Sequence, residues 1–411
     1  MNSSRDEADR MAGPLEGIRI VEYGVFHAGP GATAILGDLG ADVIKIETEK
    51  GDPERYWTTV GGMDMSMPDG QSVMHQVSNR NKKGICLDIT HPKGRGILHR
   101  LVEQADVFLT NLRKSTKTKL GVDYATLSKV NPRIIHANVS GYGPEGAMSD
   151  LGAFDPLGMA RSGMMFITGS EQPALLHLGV LDQATAIAAS HAILTALFVR
   201  ERRGIGQEVH VSLFGAGLWL TYPNLMLNNL LSLDPTLPSD RLKHSPLRNC
   251  FCCSDGKWIL GTHHPEERYW PIFCEVTGQS ALLEDPRFVD DASRAANNEE
   301  LVAHFDRVFA TKTRDEWMEI FLARQLMFCS VQRVEELKGD PQALENGYMV
   351  PFDHPALGPV QIPGYPVHFS ACRAGTRTAA PTLGQHTDSV LGDLGYTQED
   401  IRALRGESVV S

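Results

Sequence analysis

The chain has 411 residues, with 39 Lys+Arg against 50 Asp+Glu, a formal net charge of −11 and 42% hydrophobic residues. This is the make-up of a globular protein with material for two or three domains, because single cores stop growing near about 250–300 residues. The acidic balance speaks against nucleic acid or an anionic membrane surface as a partner, and any anionic ligand would need a local cluster of cations.

The opening MNSSRDEADRM is polar and charged, with no apolar core behind it. The most apolar long stretch, 174–199, carries His177, Asp182, Gln183 and His191. Neither reads as a secretory signal or a membrane span, and a cytoplasmic protein is expected.

In chain order, residues 18–23 (IRIVEY) form a short apolar run that reads as a buried strand. Gly24, Gly29, Pro30 and Gly31 follow, and then a helical stretch over 32–39. Strands are expected at 41–46, 85–89, 107–110 and 133–139, with helices at 91–104 and 123–129. This alternation predicts an α/β fold with a parallel sheet. A long helix is expected over 185–203, ending in cations and Gly204, followed by a strand at 208–213. Residues 222–245 read as a connector, and 250–335 as a smaller α+β region with helices near 265–277, 298–310 and 313–323. Beyond about residue 360 the chain is punctuated by Gly and Pro, with a last helix from about Gln398.

Seven scattered cysteines, an odd number, read as reduced thiols. Cys250, Cys252 and Cys253 lie close together but lack a second ligand pair at zinc spacing, so no metal is expected. The glycines after the first strand, with Glu47 about twenty residues on, suggest a dinucleotide fingerprint. Their order is G-x4-G-P-G rather than G-x-G-x-x-G, and a proline stands where a phosphate-binding N–H is needed. NAD is therefore not expected.

Six ordered segments resemble class III CoA-transferases. They are PLEGIRIVEYGVFHAGPGATAILGDLGADVIKIE (14–47), NRNKKGICLDI (79–89), ADVFLTNLRKS (105–115), GVDYATLSKVNPRIIHANVSGYGPEG (121–146), GIGQEVHVSL (204–213) and APTLGQHTDSVLGDLGY (380–396). Residues 79–127 are most similar to the aryl-lactate and 2-hydroxyacid members. The resemblance implies an enzyme that moves CoA from an acyl-CoA to a free carboxylic acid, with coenzyme A as the carried group. It also implies a Rossmann-like large domain (1–224 and 336–411), a small domain (225–335) and an interlocked homodimer.

The same resemblance places the nucleophile at Asp182, in HLGVLDQATAIAAS, and a facing acid at Asp155. A carboxylate is ionised at neutral pH and needs no general base to attack. Read on its own, Asp182 also suits a helix N-cap, and Asp155 a turn before Pro156. Phe26, His27 and Ala28 match the loop near the thioester, Asn111, Leu112 and Lys119 match CoA contacts, and Leu87 matches a position near the adenine. Lys82, Lys83, Arg113, Lys114 and Lys117 add to the cations within 82–119.

The chain departs from its relatives in places. His27 replaces a glutamine of formyl-CoA transferase, Thr48 replaces an arginine, and 240–262 lacks a glycine-rich loop. Phe154 stands where α-methylacyl-CoA racemases carry a proton-transfer histidine, which weighs against the alternative of a racemase or acyl-CoA isomerase.

Overall fold

A computed structural model describes residues 13–167, 172–233 and 240–411. The N-terminal MNSSRDEADRM and part of the expected connector lie outside these residues. The chain divides into two units, Met1–Leu237 with Gly347–Ser411, and Pro238–Asn346.

The larger unit is built on six parallel strands: β1 (Arg19–Glu22), β2 (Asp42–Glu47), β3 (Lys82–Cys86), β4 (Val107–Thr110), β5 (Ile135–Ser140) and β6 (Gln207–Ser212). Their order across the sheet is β3-β2-β1-β4-β5-β6. The registers pair Ile20 with Val43 and with Val107, and Ile135 with Gln207. The central strands are apolar on both sides, as a sheet covered on both faces requires. Ile20, Val43 and Val107 join one core, whereas Val21, Ile44 and Phe108 join the other.

Helices α1 (Ala28–Asp38), α2 (Val73–Asn79), α3 (Pro92–Glu103), α4 (Lys114–Leu120), α5 (Tyr124–Val130), α6 (Asp155–Arg161), α7 (Val180–Arg203), α8 (Leu213–Leu220) and α9 (Tyr222–Leu231) follow in chain order. The first core takes apolar side chains from α1 and α7, and the second takes Ile97, Leu98 and Leu101 of α3 with Val390, Leu391 and Leu404 near the C-terminus. Every residue of α1 is buried. Small residues let it approach α7 closely: a Cβ added at Gly31 would stand 3.1 Å from the Ala186 Cβ.

Two helix starts fall earlier than the sequence suggested, and both move chemistry. Helix α1 begins at Ala28, so Gly29-Pro30-Gly31 lies within a helix rather than in a phosphate-binding turn. Helix α7 begins at Val180, so Asp182 sits inside its first turn and is not its N-cap, which is Gly179. The Leu/Asn/Pro-rich stretch from Tyr222 forms α9, with Pro223 tolerated in its first turn. The units accordingly divide at 237/238 and 346/347, later than 224/225 and 335/336. A hairpin of Met349–His354 and Gly358–Pro363 opens the return segment.

The smaller unit has a three-stranded antiparallel sheet, Cys250–Cys252, Trp258–Gly261 and Phe328–Val331. Its core is aromatic, with Phe251, Phe273, Phe305, Phe309, Phe321 and Trp317 almost fully buried. Phe251 stacks on Phe309 at 4.3 Å, and Phe321 on Phe328 at 4.2 Å.

Candidate active site

In an open parallel sheet, ligands bind beyond the carboxyl ends of the strands where the strand order reverses. Here that point lies between β1 and β4. A cavity of about 1080 Å3 opens there, lined among others by Phe26, His27, Asn111, Arg113 and Asp182. Its size suits a large ligand.

Asn111 ties together the two loops that form the crevice. Its Oδ1 accepts from the Val25 N–H at 3.0 Å and its Nδ2 donates to the Val25 carbonyl at 2.6 Å. Gly24 and Gly29 leave it room, since a Cβ at either would meet the Asn111 side chain at 3.0 and 3.2 Å. The glycines that suggested a dinucleotide turn thus serve close packing. Asn111 lines the cavity, with its amide engaged by the protein itself.

Phe26 adopts a left-handed backbone (φ 58°), a strained conformation for a bulky residue. The Asp52 Oδ1 holds it by accepting the Phe26 N–H at 3.1 Å. Its ring meets Phe154 and Trp57 edge-on at 5.1 and 5.7 Å. Phe154 therefore belongs to an aromatic rim. His27 is almost wholly buried, with its Nδ1 2.7 Å from Ser78 Oγ and its Nε2 2.8 Å from Gln183 Oε1. Burial holds its imidazole below the usual pKa, helped by Arg80 and Lys82 and opposed by the Gln183 bond. Ala28 and Leu112 complete this wall.

Asp182 lines the cavity from the first turn of α7. Asp155, the first residue of α6, accepts the Asp182 N–H on its Oδ2 at 2.8 Å. It thus caps a helix whose own N-cap glycine has no side chain. Burial, and then the Asp155 charge, push the Asp182 carboxyl up to about 7. The positive end of α7 works the other way, but a helix terminus contributes only about 0.3–1 kcal/mol and is outweighed. Burial also raises Asp155, although the Asp182 and Leu181 N–H groups hold it down in part. The two acids have different work: one makes hydrogen bonds to backbone, and the other has a carboxyl with no hydrogen-bond partner among the described residues.

The cations divide. Lys82 is not available to a phosphate: it is fully buried, with Nζ bonded to Glu22 at 2.7 Å, the Pro30 carbonyl at 2.8 Å and Asn79 at 3.0 Å. Lys83 pairs with Asp42 at 2.7 Å. Arg113, Lys114 and Lys117 line the cavity, whereas Lys119, on α4, lies outside its lining. Arg113 packs on Gly152, where a Cβ would stand 2.6 Å from a guanidinium nitrogen. Leu87 is also outside the lining, in the core and bridged to Val410. Beside it a second cavity of about 740 Å3 is lined by Thr48, Lys50, Cys86, Asp88 and Arg405 among others. Among the described residues, no group of three or more His, Cys, Asp or Glu side chains gathers as a metal-ligand set.

Sequence reasoning passed over Ser78, Gln183, Asp52 and Trp57. Ser78 comes from α2 and Gln183 from α7, while Asp52 and Trp57 flank one short 3-10 helix, Pro53–Tyr56, and no spacing along the chain announces them. Gln183 alone carried a signal, its place next to Asp182.

A model of the family described as CoA-transferase family III matches residues 15–387. The chain is 32% identical to an acyl-CoA transferase of Fusarium pseudograminearum, covering 100% of this chain and 91% of that one. It is also 32% identical to (R)-2-hydroxy-4-methylpentanoate CoA-transferase of Clostridioides difficile, covering 96% and 99%. Among solved structures, a CaiB/BaiF family protein from Brucella suis superimposes with a TM-score of 0.82 at 25% identity, over 93% of this chain and 100% of that one.

Proposed function

Because the chain belongs to CoA-transferase family III, we propose that it moves CoA from an acyl-CoA to a free carboxylic acid by way of Asp182. The observation that carries this is a single carboxyl: Asp182 faces a large cavity at the switch point of the sheet, free of hydrogen bonds among the described residues and held near pH 7 by burial.

Asp182 in its ionised form attacks the thioester carbonyl and expels CoA thiolate, leaving a mixed anhydride. The thiolate then attacks the aspartyl carbonyl, which forms an aspartyl-CoA thioester and releases the donor acid. The acceptor carboxylate repeats the sequence in reverse. The positive end of α7 favours the negative charge that develops at the aspartyl carbonyl. Arg113 and Lys114 meet the phosphates of CoA. We assign the adenosine end to the side of Leu87 and the cavity beside it.

The acid we assign is a 2-hydroxy or aryl acid. The rim of Phe26, Trp57 and Phe154 offers aromatic faces to its tail, and the Clostridioides relative is named for a 2-hydroxy acid. We read the larger unit as Rossmann-like, a reading that its strand order supports. A homodimer is proposed as well, because α7–α9 expose Phe198, Trp219, Leu230 and Leu231, apolar side chains that a partner would cover.

The test is a panel of 2-hydroxy, aryl and dicarboxylic acids offered with an acyl-CoA, with new thioesters followed by mass spectrometry. Transfer only in the presence of an acceptor acid is expected. Exchange of the α-proton with solvent deuterium in the absence of any acceptor would instead select the racemase chemistry.

A further inference from the structure

The first turn of α7 is poorly fixed by its own backbone. It is entered through two left-handed residues, Leu178 (φ 64°) and Gly179 (φ 73°), and its N-cap makes no side-chain bond. Two struts from elsewhere hold it. One is Asp155, through the Asp182 N–H. The other reaches the next residue, Gln183, from His27.

This second strut continues inward. His27 Nδ1 meets Ser78 Oγ on α2, and Ser78 is fully buried. Beside the Ser78 hydroxyl lies the carboxyl of Glu54, also fully buried, whose two oxygens have no hydrogen bond of normal geometry. Burial and the Asp52 charge push Glu54 up to about 8, so at neutral pH it is largely a protonated acid with an O–H to give.

The chemistry of the groups orders the chain. A Gln183 carbonyl oxygen only accepts, so His27 carries its proton on Nε2. The bare Nδ1 then accepts from Ser78, and Ser78 keeps a lone pair for Glu54. The bonded line runs one way, from Ser78 through His27 to Gln183, with the Glu54 carboxyl behind Ser78, and it ends one residue from Asp182.

We propose that Glu54 and Ser78 are positioning residues: through His27 and Gln183 they set the rotation of the first turn of α7, and so the aim of the Asp182 carboxylate into the cavity. The proposal rests on Asp182 being the nucleophile. Misplacing a reacting group by about 1 Å costs on the order of 100-fold in rate, so a lost strut is felt in chemistry before it is felt in binding.

The experiment is single-turnover acylation of the full-length protein by an acyl-CoA, quenched at intervals and read as mass added to the Asp182 peptide. Thermal denaturation of each variant is measured alongside. Ser78→Ala should slow acylation about 10- to 100-fold, with KM for the acyl-CoA changed less than about twofold. Glu54→Met should behave alike. Glu54→Gln, which keeps a neutral donor, should stay within about threefold of the parent. His27→Gln, which can still bridge Ser78 and Gln183, should recover most of the rate lost in His27→Ala. A purely structural role would lower the melting temperature and leave the acylation rate of the folded protein unchanged, and that result overturns the proposal. Absence of mass on Asp182 in the parent protein during active transfer overturns both the proposal and the reading it rests on.

Discussion

Two carboxyls of the larger unit have opposite fates. Glu22, at the end of β1, is fully buried between Lys45 and Lys82, with bonds of 2.8 and 2.7 Å. Burial alone would raise its pKa, but the two ammonium groups outweigh it and bring it to about 2. Asp182 is half-buried, the charge that acts on it is another carboxylate, and it rises to about 7. The same residue chemistry yields a permanent anion in one place and a titrating group in the other, and the sign of the neighbour decides which. The first arrangement holds the loops of the site in place, since Lys45 also bonds the Gly24 carbonyl and pairs with Asp52 at 3.0 Å. The second leaves a carboxyl poised to react.

Removing the unpaired charge is the strongest test of this contrast. Asp182→Asn should lower transfer by about 10,000-fold or more and yet stabilise the fold. A carboxyl whose folded pKa lies above its unfolded value of 3.8 costs stability as pH rises from about 4 through about 7. The variant should therefore melt at or above the parent temperature at pH 8, with the gap closing toward pH 4; a gap of the opposite sign would break the account. Removing a paired charge should do the reverse. Lys45→Met leaves Glu22 and Asp52 undercompensated, and a loss of about 3–5 kcal/mol is expected in denaturant titration.

Finer changes sharpen the picture. In Asp155→Asn the amide oxygen still accepts the Asp182 N–H, so the cap remains while the charge is lost. The midpoint of kcat/KM against pH should fall below about 7 but stay above that of an ordinary aspartate, because burial is the larger cause. An unmoved midpoint would show that Asp155 exerts no field on the reacting group. The smallest effect concerns the carrier: Gly152→Val should displace Arg113 and raise KM for the acyl-CoA about 10-fold, the worth of one charge-assisted hydrogen bond, with kcat nearly unchanged.

Most strands of the large unit, and the start of its C-terminal helix, were legible because apolar runs and their punctuation are local. Val107–Thr110 matches its expected bounds, and Gln398–Gly406 starts where expected. The start of α1 was not, because glycine and proline usually end helices, and only α1 packing against α7 favours small residues there; that of α7 was not, because its N-cap Gly179 makes no side-chain bond to mark it. Asp182, Asp155 and His27 were found through likeness to a family. What each does locally was hidden in contacts across long separations, such as Asp155 with the backbone of α7 and His27 with Ser78 and Gln183. Lys82 misled for the same reason, since a lysine in a basic run looks solvated until the sheet places it over Glu22.

The central claim is that Asp182 becomes covalently acylated during transfer. Protein quenched with hydroxylamine while turning over an acyl-CoA and an acceptor acid should carry a hydroxamate on Asp182, located by peptide mass mapping. A hydroxamate on another residue, or none at all while new thioester accumulates, would contradict it.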